Sequence, residues 1–129
     1  MIRAGMKTSC MLLAIVMPAL SLAAADGAWM KNVPTRDHER TNPYSAQPDV
    51  IAAGKKIFVA DCTPCHGENA EGTKNRPALR SERVQRQATD GDLHWILVNG
   101  NMKKGMPSWA GLPDPQLWQV IAYVKSLHP

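Results

Sequence analysis

The stretch Asp61-Cys62-Thr63-Pro64-Cys65-His66-Gly67, DCTPCHG, decides how the rest of the chain is read. Two cysteines flank two residues, and a histidine comes directly after. Three chemistries use this spacing: a redox dithiol, a zinc knuckle, and a covalent attachment point for haem. A thioredoxin-like dithiol opens a helix after a strand, within a βαβ pattern. Here the upstream segment has helical periodicity and the downstream segment reads as loop. A zinc site wants four ligands, and the chain has no second C-x-x-C and no spaced histidine pair. C-x-x-C-H is the signature of covalent haem attachment. Two thiols at this spacing reach two vinyl groups on one side of a porphyrin, and the adjacent His66 swings under the ring to offer a nitrogen to iron.

The start of the chain agrees with that reading. Arg3 and Lys7 precede an apolar run from Met11 to Leu20, and SLAAAD comes next. This is a basic region, an apolar region too short to span a bilayer, and a small-residue cleavage site. Ala23 and Ala25 place cleavage before Asp26. Cys10 has Lys7 upstream and the apolar run downstream, the reverse of a lipoprotein site, so it leaves with residues 1–25. The export signal implies a periplasmic location and an oxidising compartment.

Of 129 residues, 15 are Lys or Arg and 11 are Asp or Glu. Removing residues 1–25 leaves 104 residues with 13 basic and 11 acidic side chains, a net charge of +2. That balance does not argue for nucleic acid as a partner. A domain of this size buries about two-thirds of its unfolded surface and is marginal without a staple. A disulfide between Cys62 and Cys65 closes too small a loop to help much. A large apolar disc held by both thiols supplies the staple instead.

Residues 26–48 show no sustained period, and Pro34, Pro43 and Pro48 punctuate them. They read as an extended arm lying on the domain, with Trp29 and Tyr44 as anchors, for packing or for a partner. At Asp49 the pattern changes. Val50, Ala53, Ile57 and Phe58 fall at helical spacing, with Asp49 as N-cap and Lys55 and Lys56 opposite. Gly67, Gly72 and Pro77 then mark a loop, with a short helical turn expected over Ser81–Arg86. Thr89 and Asp92 have capping-box spacing ahead of Leu93, Ile96 and Leu97, and Asn99-Gly100 ends that helix. After a Gly/Pro-rich loop, Asp114 as N-cap and Pro115 at the first helical position open a final helix. Its face is Leu117, Val120, Ile121, Val124 and Leu127, and Lys125 and His128 sit at the end the helix dipole favours. The expectation is all-α, with three to four helices, no strand and no repeat.

A haem iron held by His66 has a sixth position, either filled or open. Methionine fills it in many electron-transfer sites. Met30, Met102 and Met106 are available. Met30 and Met102 read as core filler. Met106 lies in KGMPSW, between a glycine and a proline.

CTPCHG, with Met106 of GMPSW forty residues after the histidine, resembles the class I monohaem c-type cytochromes. The resemblance covers residues 49–129. It implies a small cytochrome c-like fold packed around one haem c bound through Cys62 and Cys65, with His66 and Met106 on iron. Gly54 and Phe58 match the first helix of that family, and Trp118 and Tyr123 match its last, so the two helices are expected to cross. A helix-interior glycine costs about 1 kcal/mol against alanine, and a close crossing at Gly54 gives a reason for it. The resemblance also implies that the Pro77 carbonyl accepts from His66, that Leu79 packs on the haem, and that Trp95 and Trp109 wall the pocket.

In function, the resemblance implies an exported electron carrier rather than an enzyme. It would be free and monomeric or the haem subunit of a larger oxidoreductase, with redox proteins as partners and no small-molecule substrate at iron. Lys103 and Lys104, with Lys74, Arg76, Arg80, Arg83 and Arg86, form basic runs suited to charge-steered docking. The competing reading is an open-site haem sensor or peroxidase-like enzyme, with His38 or His94 as distal base.

Overall fold

The computed structural model describes residues 27–45 and 47–128. The expected cleaved segment, residues 1–25, lies outside them. Among the described residues there is no strand, only isolated bridges between Thr73 and Arg76 and between Asn101 and Met106. The α-helices are α1 (Thr35–His38), α2 (Pro48–Asp61), α3 (Thr63–His66), α4 (Asp90–Asn99) and α5 (Asp114–Lys125).

The core is the crossing of α2 and α5. Gly54 is buried at the crossing. A Cβ built on it would lie 1.9 Å from the Gln119 carbonyl oxygen, so only a glycine lets the two backbones approach this closely. One turn further along α2, the fully buried Phe58 meets Tyr123 with ring centroids 5.2 Å apart and planes tilted by 56°. Burying a phenylalanine contributes roughly 1.5–3 kcal/mol, and the tilted aromatic contact adds to it. Trp118 turns the other way along α5. It stacks on His94 of α4 at 4.3 Å, and the Arg40 guanidinium lies 4.9 Å from its ring centroid.

α4 begins with a complete capping box. The Asp92 N–H donates to Thr89 Oγ1 at 3.1 Å, and the Thr89 N–H donates to Asp92 Oδ2 at 2.9 Å. The other two expected caps differ. α2 starts one residue early, at Pro48, with Gln47 as N-cap and no side-chain cap bond, so Asp49 sits inside the first turn. There its carboxylate still faces the positive end of the helix dipole. α5 has Pro113 as N-cap, Asp114 as its first residue and Pro115 as its second. The Asp114 carboxylate instead accepts from His94 Nε2–H at 2.6 Å and Trp118 Nε1–H at 2.9 Å, and the helix has no side-chain cap bond.

The turn expected over Ser81–Arg86 is a π-helical turn over Arg83–Gln87, closed by Ala88 N–H donating to the Arg83 carbonyl at 2.8 Å. Side chains hold it open to this width. Gln85 Nε2 donates to the carbonyls of Leu79 and Val124 at 2.7 and 2.9 Å. Lys125 Nζ donates to the carbonyls of Val84, Gln85 and Ala88. Lys125 therefore serves a neighbouring turn rather than the end of its own helix. Burial lowers its pKa, against the pull of Asp90 and Asp92.

The arm carries short helical turns, a 3-10 turn at Ala28–Asn32 and then α1 directly after Pro34. It binds the start of α4 through hydrogen bonds from Thr89 Oγ1 to the His38 carbonyl and between His38 Nδ1 and Asp92 Oδ1. It reaches α5 through Asn42, whose side-chain amide donates to the Trp118 carbonyl at 2.7 Å. Gly91 permits the approach, since a Cβ there would lie 1.8 Å from the Asp37 carbonyl oxygen. Trp29, Met30 and Tyr44 are partly buried against the core, which favours the packing role for both aromatic anchors.

Candidate functional site

Cys62 ends α2 and opens α3, and Pro64 sits in the first turn of that short helix. The two cysteines carry free thiols in different settings. Cys65 is exposed, whereas Cys62 is half-buried against the core. Burial pushes the Cys62 thiol up to about 11, with Asp61 and Cys65 adding to the effect.

At the end of α3, His66 Nδ1 lies 2.9 Å from the Pro77 carbonyl oxygen. A carbonyl only accepts, so Nδ1 carries the proton and Nε2 keeps its lone pair. Among the described residues no hydrogen bond is made to Nε2. The loop that brings Pro77 here is folded back on itself. Gly72 N–H donates to the His66 carbonyl at 2.7 Å, and Leu79 N–H donates to the Ala70 carbonyl at 2.9 Å. Gly72 has φ +78°, and a Cβ there would strike the Arg76–Ala78 backbone at 2.6–2.8 Å. Leu79 is partly buried against the core.

The second cluster hangs from the end of α4. Gly100, at φ +68°, turns the chain against the Pro107–Ser108 backbone. Asn101 and Met106 then exchange backbone hydrogen bonds at 2.8 and 3.0 Å, closing a small loop around a 3-10 turn at Met102–Lys104. Gly105 closes it in the left-handed conformation. The far side returns to α4 through Trp109 N–H to the Leu97 carbonyl at 2.7 Å and through Ser108 Oγ–H to the Val98 carbonyl. Met106, Trp95 and Trp109 are half-buried. Met102 is not core filler: it is 74% exposed at the loop tip, because the closure by Asn101 and Met106 turns residues 102–104 outward.

The two clusters meet at adjacent residues. Pro77 holds His66, and Arg76 Nη1 donates to the Lys104 carbonyl in the methionine loop. The sequence shows Arg76 only as one member of a basic run. Its neighbour Pro77 is the one signal that marks it out.

A haem c fits this donor set. An imidazole nitrogen without a hydrogen-bond partner among the described residues, two unbridged thiols next to that histidine in sequence, and a half-buried thioether in a tied loop are the groups such a cofactor takes. The hydrogen bond at Nδ1 fixes the ring and raises its donor strength. When bound, the haem supplies one-electron exchange at iron.

The histidines available for an open site are engaged elsewhere. His94 is buried, accepts at Nδ1 from Arg40 at 3.0 Å, and donates from Nε2 to Asp114. His38 is bonded to Asp92. At Asp114, partial burial pushes the carboxyl up. Hydrogen bonds from His94 and Trp118 and the charge of Arg40 outweigh that and hold it below the usual carboxylate range. A depressed folded-state pKa gives stability that is present above the unfolded value of about 4 and is lost as pH falls through the folded value. Thermal melts from pH 6 to pH 2 are therefore expected to fall less steeply for Asp114→Asn than for the parent. The difference stays within about 1 kcal/mol, because the side chain is 59% exposed. Identical profiles would remove Asp114 from the acid response.

Comparison with known proteins agrees with the fold. Residues 49–124 match the family described as cytochrome c oxidase, cbb3-type, subunit III. The FixP subunit of the cbb3-type cytochrome c oxidase of Bradyrhizobium sp. (strain ORS 278) is 37% identical over 79 residues, which is 59% of this chain and 27% of that protein. A quinohemoprotein alcohol dehydrogenase, ADH IIB of Pseudomonas putida, is 30% identical over 95 residues, covering 72% of this chain and 13% of that protein. The chain thus spans about a quarter or less of these curated relatives. Among solved structures, cytochrome cL of Methylophaga aminisulfidivorans MPT superposes with a TM-score of 0.59 and 28% identity, over 68% of this chain and 59% of that one. The fold is cytochrome c-like and mostly helical, and the chain belongs to the cbb3-type subunit III family through its cytochrome c domain.

Proposed function

We propose that this protein is an exported class I monohaem cytochrome that carries one electron between redox proteins. One haem c would be attached through Cys62 and Cys65, with His66 and Met106 as axial ligands. Residues 1–25 would be removed as a signal peptide, residues 26–48 form the arm, and residues 49–129 form the haem domain. The observation that carries this reading is the Pro77 carbonyl on His66 Nδ1, which leaves Nε2 free to bind a metal.

His66 and Met106 would together hold the iron and leave no position for a substrate, so the chain's own residues would control orientation and approach. His66 is held rigid by Pro77. The Met106 loop is tied to α4 and to Arg76. A rigid ligand pair limits the rearrangement that accompanies each electron transfer. The exposed Lys103 and Lys104 beside Met106 suit docking on an acidic partner. Among the described residues no helix is long and apolar enough to cross a membrane. The cbb3-type relative is a subunit of an oxidase, and the alcohol dehydrogenase relative is a quinohemoprotein. Transfer to or from such a complex is the matching role here, as free carrier or as subunit.

The test is an optical spectrum of the purified protein, oxidised and reduced, then reduced under carbon monoxide. A low-spin spectrum unmoved by carbon monoxide, and gas-sensitive in Met106→Ala, is expected. A spectrum in the unmutated protein that shifts at once with carbon monoxide would reveal an open iron and favour sensing or catalysis.

A further inference from the structure

Two adjacent residues hold the two sides of the site. His66 rests on the carbonyl of Pro77, and the methionine loop rests on the guanidinium of Arg76. The contact is close. A Cβ built on Gly105 would lie 2.9 Å from both terminal guanidinium nitrogens and 3.2 Å from the carbon between them, so the guanidinium lies directly against the loop. Arg76 is itself half-buried.

The loop needs such a tether. Residues 102–105 are exposed and bury no apolar side chain. Segments of this kind open locally at low free-energy cost. On the α4 side the loop is held through Trp109 and Ser108. On the His66 side it is held by Arg76.

We propose that Arg76 is a positioning residue for Met106: its charged hydrogen bond to the Lys104 carbonyl keeps the methionine loop closed over the His66 side of the site. This rests on Met106 being the second axial ligand. A hydrogen bond from a charged donor is worth more than a neutral one, and a planar guanidinium fixes direction better than an ammonium. Arg76 therefore sets how readily the methionine gives way to an incoming ligand, while leaving His66 on Pro77.

The experiment is titration of the haem-loaded ferric protein with imidazole, following the methionine-to-iron charge-transfer absorption. In Arg76→Ala, imidazole is expected to displace the methionine at about tenfold lower concentration or less, as loss of one charged hydrogen bond predicts. Arg76→Lys recovers part of that change. Gly105→Ala, whose methyl displaces the guanidinium, loosens the loop in the parent and adds less in the Arg76→Ala background. Strain at the positive φ acts in both backgrounds and cancels in that cycle. Should Arg76→Ala fail to take up haem, Arg76→Lys and Gly105→Ala carry the same comparison. An unchanged imidazole titration in these variants overturns the proposal, even if their denaturation midpoints fall. Absence of the charge-transfer absorption in the parent overturns both the methionine assignment and this proposal. Its presence in the parent with an unchanged titration in the variants overturns this proposal alone.

Discussion

Gly54→Ala is expected to destabilise the protein by about 3 kcal/mol or more, at the upper end of the overpacking range. The added methyl would sit 1.9 Å from the Gln119 carbonyl oxygen, 2.5 Å from its carbon and 3.0 Å from the Val120 nitrogen. All three are backbone atoms of α5, so no rotamer change relieves the clash. The helices must move apart, and the contact of Phe58 with Tyr123 and the burial of Ile121 suffer with them. The helix-propensity gain of alanine over glycine, about 1 kcal/mol, acts in the opposite direction and is the smaller effect. Gly111→Ala is the control. Nothing lies within 4 Å of a Cβ there, and its φ is not in the left-handed region, so that change is neutral or mildly stabilising. Denaturant midpoints of the haem-loaded proteins measure both. A cost below about 1 kcal/mol at Gly54 would mean that α2 and α5 separate freely, against the backbone contact seen here.

That crossing shows what the sequence makes legible. The apolar spacing of Val50, Ala53, Ile57 and Phe58 and of Leu117, Val120, Ile121 and Val124 marks both helices, because burial on one face leaves a period. A capping box is equally local, so Thr89 and Asp92 are readable. Asp114 fails as a cap for the opposite reason: its partners, His94 and Trp118, include a residue twenty positions upstream that no local rule inspects. The wide turn at Arg83–Gln87 likewise depends on Lys125, some forty residues away. At the candidate site, the proposed cysteine and histidine ligands are legible in the sequence because the chemistry proposed for them needs contiguity. Arg76 is not, since its meaning lies in a loop twenty-eight residues downstream. The arm is hardest of all. Its short turns are stabilised by contacts with Gly91, Asp92 and Trp118, none of which leaves a period in residues 26–48.

Replacing both cysteines, Cys62→Ala with Cys65→Ala, is expected to abolish covalent attachment. All pigment should then pass into acidified acetone, whereas none is expected to leave the parent. The single variants should each keep one link but differ in stability. Cys62 packs against the core, and Cys65 is exposed. Cys62→Ala therefore removes buried contacts as well as a thioether, and truncating a partly buried side chain costs up to about 1 kcal/mol for each methylene-sized group lost. Cys65→Ala removes the thioether alone. The double variant loses more than the sum of these packing terms. A haem that can dissociate stabilises the fold only by mass action, whereas an attached one is always present. On the proposed haem placement, half-buried Trp95, Met106 and Trp109 would lose cover whenever the haem leaves. In dilute solution the helical circular dichroism of the double variant should melt at a lower temperature than that of the parent, and at a temperature that rises with added haem. Pigment that resists acidified acetone in the double variant would place the covalent link outside DCTPCHG. A melting temperature indifferent to added haem would mean that the helices close without it.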